Sequence, residues 1–134
     1  MGAWGTKAFD NDDANDWAYS LEKVTDLSLV KEAFDAVEFA SDYIAAPVAC
    51  NALAACEVLA RLLGNTGYQN SYTEKVDVWV KAHPQMPPED VLAQARIMTD
   101  LILGPQSELN ELWEGDEHEA WRMDVQDLKK RLQN

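Results

Sequence analysis

The sequence predicts an all-α protein, a single domain over residues 1–134 folded as a compact bundle of about seven helices around a buried central one. Three observations carry this. The stretch Pro47 to Leu63, PVACNALAACEVLARLL, is almost unbroken apolar sequence closed by Gly64, and a helix apolar nearly all round belongs inside a bundle. The segments on either side repeat apolar residues at helical spacing. Nowhere does a sustained β-branched alternation of the kind strands require occur. A chain of 134 residues is long enough to bury a core without disulfide or metal staples.

In the central helix, Pro47 suits a first helical position and Gly64 a C-terminal cap. Only Asn51, Glu57 and Arg61 interrupt it, and Glu57 lies one turn before Arg61, the spacing of a helical ion pair. Cys50 and Cys56 lie about 240° apart around such a helix and cannot bridge each other. They read as small packing residues in a reducing compartment, and no metal-ligand spacing accompanies them.

The chain opens MGAWGTKAFDNDDANDW. Glycines around Trp4 predict an irregular lead-in whose indole presses into the core. Asn11 or Asp10 caps the first helix, Asp12 and Asp13 fall in its first turn, where the dipole favours anions, and Ala14, Trp17, Ala18, Leu21 and Val24 form its buried stripe. A second helix, from about Leu29 to Ala40, turns Leu29, Ala33, Phe34 and Val37 inward, and Ser41 and Asp42 break the pattern. Beyond the central helix NTGYQNSY is a loop, and Ser71 with Glu74 has capping-box spacing for a fourth helix burying Val76, Trp79 and Val80. Pro84, Pro87 and Pro88 separate it from a fifth, marked by Val91, Leu92, Ala95, Met98, Leu101 and Ile102 and stopped by Gly104 and Pro105. Ser107 caps a short sixth helix carrying Leu109, Leu112 and Trp113, which Gly115 ends. Asp116 and Glu119 form a second capping-box pair, opening a last helix on Ala120, Trp121, Val125, Leu128 and Leu132, with Lys129, Lys130 and Arg131 in its final turn.

The opening residues, together with ALAACEVLARLLG and SELNELWEGDEHEAWRMDVQDLKKRL, resemble a small bacterial family catalogued as domain of unknown function 4259. The resemblance covers nearly the whole chain. Lys7 stands where the family pattern leads one to expect glycine, and Cys50 and Cys56 where it has small residues. The family has no established activity, so the resemblance assigns no functional residue.

Charge narrows the function classes. With 24 Asp and Glu against 11 Lys and Arg, the net charge is -13. Such a field repels nucleic acid and anionic membranes, whose binding depends on Lys and Arg, and attracts basic proteins or cations. The longest apolar stretch is too short to span a bilayer, and no secretory signal is legible, so the expected location is cytoplasmic. Met1, Gly2 and Thr6 satisfy the minimal acylation pattern, but the acidic residues beyond them supply no polybasic second anchor.

No local motif predicts a catalytic residue, a metal site or a cofactor. An EF-hand loop beginning at Asp10 would need an oxygen ligand, a glycine and a glutamate where the chain has Ala14, Asn15 and Leu21. Bundle-core metal sites use Glu-x-x-His pairs, which are absent from this sequence, and neither His83 nor His118 has a partner at catalytic spacing. Two acidic stretches remain as candidate binding surfaces. One is Asp12, Asp13 and Asp16, the other Glu108, Glu111, Glu114 and Glu117. The bland account of each is helix capping or a solvated face; the sharper one is docking. The leading expectation is a non-enzymatic acidic intracellular binding protein, for example an immunity protein covering the basic site of a nuclease toxin. The alternative is a metal-assisted or other hydrolytic enzyme using Glu57 and the N-terminal aspartates. Oligomeric state is not legible.

Overall fold

The apolar run is helical in the computed structural model, which describes residues 3–40 and 42–133. Met1 and Gly2 of the acylation pattern, and Ser41 of the predicted break, lie outside the described residues. Those residues form α1 (Asp12–Leu21), α2 (Ser28–Phe39), α3 (Ala46–Leu62), α4 (Glu74–Ala82), α5 (Glu89–Ile102), α6 (Glu108–Leu112) and α7 (His118–Arg131). The protein is all-helical, and α3 touches each of the other six.

Every residue of α3 from Ala52 through Arg61 is buried, because its alanines let neighbours approach on all sides. Its C-terminus is a Schellman turn: Gly64 N–H donates to Arg61 O at 3.0 Å and Asn65 N–H to Ala60 O at 2.9 Å. Gly64 has φ +86°, the left-handed conformation this turn requires. In α1 the cap is Asn11, whose Oδ1 accepts from Ala14 N–H at 2.8 Å, and Ala14, Trp17, Ala18 and Leu21 are buried. Ser107 caps α6 by accepting from Asn110 N–H at 3.2 Å. Trp17, Trp79 and Trp121 are all core residues.

Several expectations need correction. Trp4 is not the N-terminal plug: it is 49% exposed and leans on Tyr72, with ring centroids 5.0 Å apart. Phe9 fills that role, fully buried, because the turn closed by Asp10 N–H on Lys7 O (3.0 Å) carries it under residues 3–10, the N-terminal strap. Val30 replaces Leu29 on the inner face of α2, and Leu29 is half-buried. Leu101, Leu112 and Ala120 are exposed and Val80 is only half-buried, Leu101 and Ala120 lying outside the arcs that α5 and α7 bury. Neither capping box forms. Asn70 Oδ1 takes the N–H groups of Tyr72 and Thr73 and delays α4 until Glu74, while α7 starts after Glu117 rather than Asp116.

A tertiary pin fixes α6 against α3. Ile44 N–H donates to Gln106 O (2.8 Å) and Glu108 N–H donates to Ile44 O (2.9 Å), stitching the entry of α3 to the entry of α6.

Candidate functional site

Glu57 lies on the C-terminal half of α3 among apolar neighbours, where a lone carboxylate would be costly. It is not alone. Arg61 Nη1 donates to its Oε1 at 2.6 Å. From α7, Arg131 Nη1 donates to Oε1 at 3.0 Å and Nη2 to Oε2 at 2.8 Å, a two-pronged contact. Arg61 Nε reaches Asp77 of α4 at 2.9 Å and its Nη2 donates to the Tyr68 carbonyl, while Arg131 Nε reaches Asp127 at 3.0 Å. Burial works against the Arg131 charge, yet Glu57 and then Asp127 more than offset it and hold the guanidinium protonated beyond its ordinary range. Gly67 leaves the room for this: a Cβ there would fall 2.6 Å from Arg131 Cζ. The cluster joins α3, α4 and α7, and both Glu57 oxygens face guanidinium donors.

Alongside Glu57 and Arg131 lies a pocket of about 70 Å³, framed by the strap, α1, α3, α6 and α7. Its apolar wall includes Cys50, Leu53, Leu109, Trp113 and Trp121; Asp13, Asp124, Asp127 and Lys7 also line it. Lys7 Nζ pairs with Asp124 at 2.8 Å, and Thr6 Oγ1 donates to the same carboxylate at 2.5 Å, so two strap residues are fastened to α7. Burial, and then the charge of Asp13, push the Cys50 thiol up to about 12.

The two acidic stretches meet at this pocket unequally. Asp13 lines it directly, whereas α6 contributes Leu109 and Trp113 and leaves its carboxylates outside. Asp12 and Asp16 are exposed on the outer face of α1. Glu108 is half-buried and structural, its Oε1 accepting from Ala46 N–H at 2.7 Å in the first turn of α3. Glu111 is exposed and accepts from the Tyr43 hydroxyl at 3.2 Å. Partial desolvation, followed by the charges of Glu108 and Glu111, raises that phenol above its ordinary value. Glu114 and Glu117 are exposed. None of the seven salt bridges found among the described residues uses a carboxylate from either stretch.

The histidines are locally engaged: His83 Nδ1 lies 3.0 Å from Trp79 O, and His118 Nε2 lies 2.8 Å from Asn110 Oδ1. Among the described residues no group of three or more His, Cys, Asp and Glu is placed to hold a metal ion, and no helix is long and apolar enough to cross a membrane. The pocket and the Arg131 contact were not legible in the sequence. Arg131 sits 74 positions from Glu57 and reads there only as a dipole-compensating cation; the sole hint was a predicted buried carboxylate with one predicted partner.

A family model described as Domain of unknown function (DUF4259) matches residues 2–124. No curated protein and no solved structure matches the chain.

Proposed function

This chain belongs to the DUF4259 family, and we propose that it is a non-enzymatic binding protein for a basic protein partner. The observation that supports this is the distribution of charge. The salt bridges draw on Asp77, Asp100, Asp124, Asp127, Glu57 and Glu89, leaving Asp12, Asp13, Asp16, Glu111, Glu114 and Glu117 without a cation among the described residues. Exposed Leu112 adds an apolar contact beside Glu111. A net charge of -13 would steer a basic partner toward such a surface. The concrete form we favour is a cytoplasmic immunity protein that covers the basic site of a nuclease toxin.

The test is isolation of a basic partner from the native host, followed by association kinetics at several salt concentrations. Association should slow steeply with salt, and Glu111→Lys with Glu114→Lys should slow it further, as should Asp12→Lys with Asp16→Lys. Kinetics indifferent to salt and to both reversals would overturn the proposal.

One observation favours the alternative of a hydrolytic enzyme: Asp13 and Glu57 line the same pocket. Against it, both Glu57 oxygens already accept from arginine. Stoichiometric metal in the purified protein, lost on Glu57→Gln, would favour the enzyme reading.

A further inference from the structure

We propose that the pocket between the strap, α3, α6 and α7 receives one arginine side chain presented by the basic partner, an inference that rests on the docking proposed for this surface. Its size selects the occupant. Sites for drug-sized molecules run to about 300–1,000 Å³. A volume of about 70 Å³ is room for the end of a single side chain.

Its wall selects the chemistry. Leu53, Leu109 and the half-buried Trp113 offer apolar surface for a methylene stem, and an indole is a ring that attracts cations, guanidinium above all. The charges select the sign. Of the lining carboxylates, Asp124 is paired with Lys7, while Glu57 and Asp127 are paired with Arg131. Asp13 has no cation among the described residues, and its field reaches into the pocket far enough to act on the Cys50 thiol. An anionic group entering here meets Asp13, whereas a guanidinium gains it. Arginine is preferred to lysine because its planar fork can both stack and engage a carboxylate through two N–H groups.

Position completes the argument. The pocket is lined both by Asp13 of α1 and by Leu109 and Trp113 at α6. These are next in sequence to the exposed Asp12 and to Leu112 and Glu114, so a partner docked on these elements would lie beside it. A buried arginine anchor ringed by weaker polar contacts is how binding energy concentrates in protein interfaces.

The probe is N-acetyl-arginine amide, with N-acetyl-citrulline amide as its uncharged isostere, titrated into the full chain and followed by proton–nitrogen NMR. Saturable shifts are expected at the Trp113 and Trp121 indole N–H groups and the Cys50 amide. The citrulline probe should bind more weakly by up to about fivefold, the discrimination one partly exposed charge pair supplies. Asp13→Asn should weaken the arginine probe by a similar factor and leave citrulline unchanged, and Cys50→Leu, which fills the pocket, should abolish both. Should Cys50→Leu fail to fold, Asp13→Asn on the exposed first turn carries the test alone.

Equal binding of the two probes, or shifts confined to the outer acidic faces, would overturn the inference. The docking reading fails separately. A partner sensitive to salt and to the α6 reversals but indifferent to Asp13→Asn refutes the pocket and leaves docking intact. Probe binding in the pocket without any salt-sensitive basic partner refutes docking alone.

Discussion

Replacing Glu57 with glutamine keeps the shape of the side chain and removes its charge from between two guanidinium groups. The exposures set the magnitude: the Glu57 side chain is 3% accessible, that of Arg61 1% and that of Arg131 14%. An amide oxygen in place of Oε1 could keep the two bonds made there, but the amide NH₂ would then face Arg131 Nη2, donor against donor. Removing one partner of a buried pair costs about 3–5 kcal/mol. Here Arg61 keeps Asp77 and Arg131 keeps Asp127, so the lower end applies, about 3 kcal/mol. For a chain of this length that is a fall in Tm of roughly 10 °C. The assay is helical circular dichroism through thermal and urea unfolding at pH 7. Arg131→Gln should also destabilise, and the double variant should lose less than the sum of the two, since the partners share one interaction. A loss below about 1 kcal/mol for both single variants would show that the cluster does not hold α3 to α7.

Phe9→Ala should cost about 3–5 kcal/mol in urea unfolding and Trp4→Ala less than about 1, because the first is fully buried and the second half-exposed. Gly64→Ala should lower stability by about 1–2 kcal/mol through its positive φ alone, since a Cβ there meets nothing within 4 Å. Asp26 accepts hydrogen bonds from the Ser28 hydroxyl and backbone N–H, which lower its folded pKa. Its contribution is therefore present above the unfolded value of about 3.9 and lost as pH falls through the lower folded value. The stability gap between the parent and Asp26→Asn should be constant near neutral pH and close in acid; a gap that widened in acid would contradict this.

The fold was legible where one signal acts locally. Seven helices follow from periodicity, and the end of α3 at Gly64 follows from the geometry that turn demands. Legibility failed where competing local partners exist. Ser71 and Asp116 have the right neighbours for capping boxes, but Asn70 captures the free N–H groups first at α4, and α7 begins one residue late. Trp4 and Phe9 are both large and close in sequence, and only the intervening turn decides which points inward. The acidic stretches were visible as charge, yet nothing local separates Glu108, consumed by the entry of α3, from Glu111, which stays exposed.

The placement of cations connects the core to the surface. Lys7, Arg61, Arg96, Lys129 and Arg131 are engaged in salt bridges, and all but two of their carboxylate contacts bring distant parts of the chain together or secure the C-terminal half of α3. Arg122 is also turned inward, donating to Leu103 O at 3.1 Å. A chain with 11 basic residues that commits this many to internal joints leaves little to neutralise its 24 acids at the surface. Several of those joints involve the strap or α7. The carboxylates outside the salt bridges are spread over the surface, on α2 (Glu32, Asp35, Glu38) as well as on α1 and around α6, with Asp13 lining the pocket. The internal pairs would thus shape both the cavity and the sign of the field around it. Breaking the Lys7–Asp124 pair with Lys7→Met should then act twice, loosening the strap and freeing a second lining carboxylate. The arginine probe should bind more tightly to that variant if the pocket keeps its shape, and a weaker interaction at unchanged thermal stability would count against electrostatic control of the site.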